Sequence, residues 1–188
     1  VSEFFKKSKH KKSNIIYGYT NSKDYLTKNY KNINLKNLKS KLKSTTYEYA
    51  EKLIKEINNN FDIVEIHNRP LLLFKLINKV KGKLIFYFHN DPLSMKGSKS
   101  VKERLKILEN VEKIIFVSEW VRERFFINID QKLQTKTEVV YPSVNKQKKI
   151  KKEKNIVFVG RLNHSKGYDI FKDAVIKILN NFPKWKAY

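Results

Sequence analysis

The chain has 188 residues, is 40% hydrophobic and 13% aromatic, and carries a formal net charge of +23. That length buries one large core or two small ones, and the absence of cysteine excludes a disulfide framework and any thiolate metal site. The four histidines at His10, His67, His89 and His164 are too scattered to suggest a zinc site, and no apolar run approaches the roughly 20 residues of a membrane helix.

The start, VSEFFKKSKHKK, lacks the long apolar stretch of a secretory signal, so a cytoplasmic protein is expected. NIIYGYT (14–20) is a strand by its aromatic and β-branched content. Residues 21–44 are rich in Lys and Asn with little periodicity and are expected to be mostly loop. TTYEYAEKLIKEI (45–57) places Tyr47, Ala50, Leu53, Ile54 and Ile57 on one helical face. An asparagine run ends that helix, and FDIVEIH (61–67) reads as a strand. Pro70 opens a helix through LLLFKLINKV, because proline suits a first turn. KLIFYFH (83–89) is an apolar run expected to be buried on both sheet faces, with Phe86, Tyr87 and Phe88 in the core.

NDPLSMKGSKS follows as a loop. SVKERLKILENV (100–111) is a helix, KIIFVS (113–118) a strand, and EWVRERFF (119–126) a helix with Ser118 as its N-cap. Trp120 is expected to pack against the strands. TEVVYP (137–142) is a further strand, and the charged run at 145–154 a linker. A new unit begins with the strand NIVFVG (155–160). A helix follows at 166–179 with Ile170, Phe171, Ala174, Val175 and Ile178 inward, and KWKAY begins another strand. Alternating strands and helices argue for an α/β fold with a parallel, doubly wound sheet. The expected organisation is a nearly complete Rossmann-like domain over 1–144, a linker over 145–154, and the opening of a second domain over 155–188.

The excess of basic residues raises nucleic acid, anionic lipid and phosphorylated ligands as partners. Nearly all of it is lysine, however, with arginine only at Arg69, Arg104, Arg122, Arg124 and Arg161. A solvated lysine surface explains that composition as well. The aromatics lie in apolar strands rather than among exposed basic residues, so no specific nucleic-acid partner is expected.

In open parallel sheets, ligands bind at the carboxyl ends of the strands. That selects His67–Arg69, His89–Pro92, Ser118–Trp120, Tyr141–Ser143 and Gly160–Lys166. At the last junction, Gly160 permits close backbone approach, Arg161 offers a planar fork, and Lys166 supplies a mobile charge beside a helix N-terminus. The set suits a diphosphate, and equally a surface Arg and Lys flanking a turn. It is neither a P-loop nor a dinucleotide fingerprint. His67 and His89 are either functional or ordinary strand-end histidines. His164 reads as bystander surface, and Asp91 before Pro92 as a turn opening beside His89.

Four motifs in order resemble glycosyltransferase family 4, the retaining transferases of GT-B fold. IVFVGRLNHSKGYDIF is similar to the opening of that family's C-terminal domain, EKIIFVSEWVRERF to a late N-domain strand and helix, VVYPSVN to the segment crossing between domains, and LIFYFHNDP to the strand bearing a histidine near the donor sugar. The resemblance covers about residues 45–188. It implies transfer of a sugar from a UDP- or GDP-sugar to a glycan or lipid-linked acceptor with retention, and places the protein in lipopolysaccharide or other cell-envelope glycan synthesis. It implies that Gly160, Arg161, Lys166 and Gly167 hold the donor diphosphate and that His89 lies by the sugar as the catalytic group. Asn68, Arg69, Asn90, Asp91, Ser118 and Glu119 would then border the acceptor side of a cleft. No metal is implied. A lipid-linked acceptor, with the basic surface, would suit peripheral association with an anionic membrane at its inner face.

Departures from the family pattern lead us to expect a fragment, inactive alone. Val1 is not methionine, the family's glycine-rich loop is missing, and residues 1–13 are similar to the helix after that loop. The crossing segment lacks its usual asparagine-glycine, and the glutamate pair of the C-terminal domain would lie beyond Tyr188. The alternatives are a GT-B-type epimerase or phosphorylase and, from another class, a basic nucleic-acid-binding protein.

Overall fold

Four strands pair in the order in which they occur in the chain. β3 (Ile63–His67), β4 (Lys83–Phe88), β5 (Lys113–Phe116) and β6 (Thr137–Val139) form one all-parallel sheet. β1 (Ile16–Gly18) and β2 (Tyr30–Asn32) form a separate parallel pair. The helices are α1 (Thr45–Ile57), α2 (Pro70–Leu76), α3 (Val101–Asn110) and α4 (Glu119–Phe126), with short 3-10 turns at Pro92–Ser94 and Gln131–Lys136. The structure is a computed structural model and describes residues 8–10, 12–19, 28–35, 44–57, 60–142 and 153–188. The chain divides into two compact units, residues 1–142 and 143–188.

The expected α/β class holds, as a Rossmann-like parallel sheet with a helix in each crossover of the four-stranded sheet. Right-handed crossovers between strands that advance in one direction put every connecting helix on the same sheet face. The burial agrees. Ile66, Phe86, Phe88, Ile114 and Phe116 lie at 0–3% exposure and share one core with Leu73 and Leu76 of α2, Ile107 of α3, and Phe125 and Phe126 of α4. Phe88, Phe116 and Phe125 contact one another at centroid distances of 5.2–5.6 Å.

The opposite face differs, and here the expectation for 83–89 is corrected. Side chains alternate across a strand, so the in-register pairs bring Glu65, Ile85 and Lys113 into one row and His67, Tyr87, Ile115 and Glu138 into the next. Ile115 is buried, but Tyr87 is only half-buried and Glu65 is half exposed. Lys113 and Glu138 form an ion pair at 2.8 Å. β4 is therefore buried fully on one face only, and Tyr87 belongs to the mixed polar face rather than the core.

Arg104 on α3 is 2% exposed. Its Nη2 donates to the carbonyl of Ile127 at 2.7 Å and its Nη1 to that of Arg124 at 3.5 Å. These are C-terminal carbonyls of α4 and of the residue after it, which have no partner within the helix. The guanidinium thus acts as a cap supplied from another helix. At the other end of α3, Ser100 and Glu103 form a reciprocal capping box.

Several element boundaries are corrected. The strands expected at 14–20, 113–118 and 137–142 are confined to 16–18, 113–116 and 137–139. The stretch 21–44 holds β2, a short polar strand with no alternation to announce it, followed by buried Ile33 and Leu35. In α1 the buried residues are Tyr49, Ala50, Leu53 and Ile57. Tyr47 is instead half-buried with Lys75 over its ring at 4.9 Å. Of the helix expected over 1–13, residues 9, 10, 12 and 13 are turns, and 1–7 and 11 lie outside the described residues, as does nearly all of the expected linker.

In the second unit β7 (Asn155–Ile156) pairs in parallel with β8 (Lys186–Ala187), joined by a 3-10 turn at His164–Lys166 and α5 (Tyr168–Asn181). β7 is shorter than the expected strand at 155–160. Helix α5 starts two residues later than expected because Gly167 takes φ 70°, the left-handed region, and ends the preceding turn. Phe171, Val175 and Leu179 are its half-buried apolar residues beyond the first turn, whereas Ile170, Ala174 and Ile178 are exposed. The expected inward face is rotated, since Phe158 draws Phe171 and Tyr168 against it at 5.1 and 5.5 Å.

Candidate functional site

At the carboxyl edge of the sheet, β3 and β4 end side by side. His67 pairs in register with Tyr87, and His89 follows two residues later. The three rings stack along the open face: His67 lies 4.4 Å from Tyr87 and 5.2 Å from His89, with interplanar angles of 15° and 18°. Nδ1 of His67 is 2.9 Å from Nε2 of His89, a hydrogen bond with one proton between two rings. Oε2 of Glu65 lies 3.6 Å from the other nitrogen of His67. Burial, and then the neighbouring His67, hold the His89 pKa below its ordinary value. Burial, with the carboxylates of Glu65 and Glu138, pushes the Tyr87 hydroxyl up to about 12.

Asn68 holds the two strand ends together. It occupies the left-handed region at φ 58°, where asparagine is tolerated better than most residues. Its Oδ1 accepts hydrogen bonds from the backbone N–H groups of His89 and Asn90 at 3.2 and 3.3 Å. Its own N–H donates to the carbonyl of Tyr87 at 2.8 Å. Two effects combine at this position and can be separated. Asn68→Ala should destabilise the chain by about 2 kcal/mol, through two lost hydrogen bonds and a strained Cβ. Asn68→Gly should cost about half that, because glycine relieves only the strain. Urea unfolding of both variants checks the difference, and equal losses would leave the strain without a role.

The remaining predicted residues of this edge have identifiable local partners. Arg69 lies over the ring of Tyr49 at 5.4 Å. Both carboxylate oxygens of Asp91 are taken by Arg124, at 3.2 Å to Nε and 2.9 Å to Nη2, and Oδ1 also accepts from Leu93 N–H at 3.0 Å. The hydrogen bond from Arg124 holds the Asp91 carboxyl below the usual range. Ser118 accepts from Val121 N–H at 3.3 Å, the N-cap that its position predicts. Glu119 pairs with Arg122. Trp120, expected to be packed, is 55% exposed, with Arg124 over its ring at 5.7 Å. Sequence reasoning does not place Glu65, Tyr87 or Arg124 at the site, although Glu65 precedes His67, and Tyr87 precedes His89, by the two residues that keep side chains on one strand face.

In the second unit Arg161 and Lys166 are exposed, and neither makes an ion pair among the described residues. Lys166 lies in the 3-10 turn rather than in the first turn of α5. A Cβ at Gly160 would meet the Phe158 ring at 3.3 Å, so the glycine lets the loop fold over that ring. His164 faces Asp169 at 3.4 Å. The depression lined by Asn78, Gly82, Lys83, Glu109 and Glu112 lies at the opposite, amino edge of the sheet and involves none of the predicted residues.

Two proteins of known sequence are similar to the chain. "Putative glycosyltransferase YtcC" of Bacillus subtilis (strain 168) is 26% identical over 158 residues, covering 72% of this chain and 38% of that protein. "Uncharacterized 41.2 kDa protein in cps region" of Klebsiella pneumoniae is 30% identical over 142 residues, covering 62% of this chain and 39% of that protein. The chain thus spans about two fifths of the length of these relatives. No family model matches it, and no solved structure matches it significantly.

Proposed function

We propose that these residues belong to a glycosyltransferase of GT-B type, which moves a sugar from a UDP- or GDP-sugar to a glycan or lipid-linked acceptor with retention. The similarity to a protein named as a glycosyltransferase supports the reaction class. The observation that carries the assignment to a site is the His67–His89 pair at the carboxyl edge of a parallel sheet, where such sheets bind ligands. His89 contacts a hydroxyl of the transferring sugar. Asn68 and Asn90 border it, while Asp91 and Ser118 brace the surrounding turns.

Arg161 and Lys166 of the second unit bind the donor diphosphate, with Gly160 and Gly167 shaping the turn between them. A diphosphate leaving group carries developing charge, which fixed cationic side chains stabilise without reorganisation. The leaving phosphate itself helps deprotonate the acceptor hydroxyl, so no carboxylate nucleophile is needed. A basic surface would also favour a lipid-linked acceptor at an anionic membrane.

The test uses the enzyme that contains these residues, with Arg161→Ala. A charge-assisted hydrogen bond is worth about 1.5–3 kcal/mol, so donor affinity should fall roughly 10- to 100-fold. Isothermal titration with UDP- and GDP-sugars reads it directly, and unchanged affinity would refute the assignment. Product analysis with and without acceptor separates transfer from epimerisation or phosphorolysis.

A further inference from the structure

One proton lies between His67 and His89, and its owner decides what His89 can offer a ligand. If His67 Nδ1 carries the proton, His89 Nε2 accepts it and the neutral His89 ring is protonated on Nδ1. His67 Nε2 is then bare, and its lone pair faces the Glu65 carboxylate at 3.6 Å. Two negative lobes at that separation repel. If His89 Nε2 carries the proton instead, His67 Nδ1 accepts it and His67 Nε2–H faces the carboxylate. Nδ1 of His89 is then a bare lone pair. That nitrogen has no hydrogen-bond partner among the described residues and is not sealed from solvent.

The electrostatics favour the second arrangement, because a ring N–H toward a carboxylate is attractive and a lone pair is not. We propose that Glu65 and His67 are positioning residues that hold His89 as its Nε2–H tautomer, so that Nδ1 of His89 faces a ligand as an acceptor. The relay runs from one strand to the next: Glu65 selects the tautomer of His67, and His67 selects that of His89. The Tyr87 ring stacks against both imidazoles and keeps them nearly parallel to it. Asn68 fixes the backbone of His89 from the same strand that carries His67. Such a site recognises a hydrogen-bond donor, a hydroxyl, in preference to an acceptor such as a carbonyl or phosphate oxygen.

That the donor is a sugar hydroxyl rests on the function proposed above. The tautomer is read without substrate, so a failure of sugar transfer leaves this inference standing, and the converse also holds. The experiment is two-dimensional 15N–1H correlation of the histidine rings in the full 188-residue chain. It is run at about pH 8, above the ordinary histidine pKa, with signals assigned by His67→Phe and His89→Gln. The expected result is a bare Nδ1 and protonated Nε2 on both His67 and His89. Glu65→Ala removes the carboxylate from a half-exposed strand position, and His67→Phe keeps the stacking on Tyr87 while removing the acceptor. In both, His89 should shift to a mixture of tautomers. Glu65→Gln serves if Glu65→Ala does not fold. A protonated Nδ1 on His89 in the unmodified chain, or an unchanged His89 spectrum in either variant, overturns the proposal.

Discussion

Replacing His89 with alanine in the proposed glycosyltransferase should lower kcat/KM about 100-fold, with a much smaller change in donor affinity. In the proposed site, a hydroxyl held by an oriented imidazole would lose its partner at the reacting sugar, whereas the diphosphate would keep Arg161 and Lys166. The pH profile should carry the same information. Burial and His67 lower the pKa of His89, so the neutral, hydrogen-bond-accepting ring persists below the ordinary histidine value of about 6.5. The acid limb of kcat/KM should therefore fall below that pH, and His67→Phe should move it upward by removing one of the causes. Steady-state kinetics across pH check both points. A His89→Ala enzyme within a factor of a few of the parent would remove His89 from the reacting centre. Equal losses in donor affinity and turnover would make it a general binding residue instead.

The largest effect on stability is expected at Arg104. Arg104→Ala should destabilise the first unit by about 3 kcal/mol, lowering its melting temperature by roughly 10 °C. The side chain is among the largest that are fully buried. Its removal opens a cavity and strands the carbonyls of Arg124 and Ile127 at the end of α4. Arg124 in turn grips Asp91 at the turn that follows His89. A loosened α4 should therefore disturb the site edge as well as the core. Arg104→Met, which fills the volume without the donors, should recover about half of the loss. Calorimetry of the two variants separates cavity from capping. A loss under about 1 kcal/mol for Arg104→Ala would mean that the carbonyls find other partners.

The order of elements was legible because each helix and most strands carry a local signal. Pro70 sits at the first turn of α2, Ser118 caps α4, and apolar runs mark β4 and β5. β2 escaped because YKN has no alternating pattern, and its strand character comes from pairing with β1. The start of α5 was misplaced by two residues because the left-handed turn at Gly167 is a backbone choice that helix periodicity does not report. Trp120 was misjudged for a related reason: whether an aromatic at a helix start turns inward depends on the crossing of that helix over the sheet.

The candidate site divides in the same way. His67, His89, Asn68, Asp91 and Arg161 could be found from sequence, since strand ends in parallel sheets are where ligand-binding side chains gather. Chain order and amino-acid type thus determined the α/β class, the caps and the junctions worth watching. Register was decided only in three dimensions. It set His67 beside His89 across 22 positions of sequence, brought the two nitrogens to 2.9 Å, and put Glu65 behind them. It also tied Arg124 to Asp91 and sank Arg104 beneath α4. Those contacts follow from how strands align and helices cross, which arises from packing the whole core and is written in no single stretch of the chain.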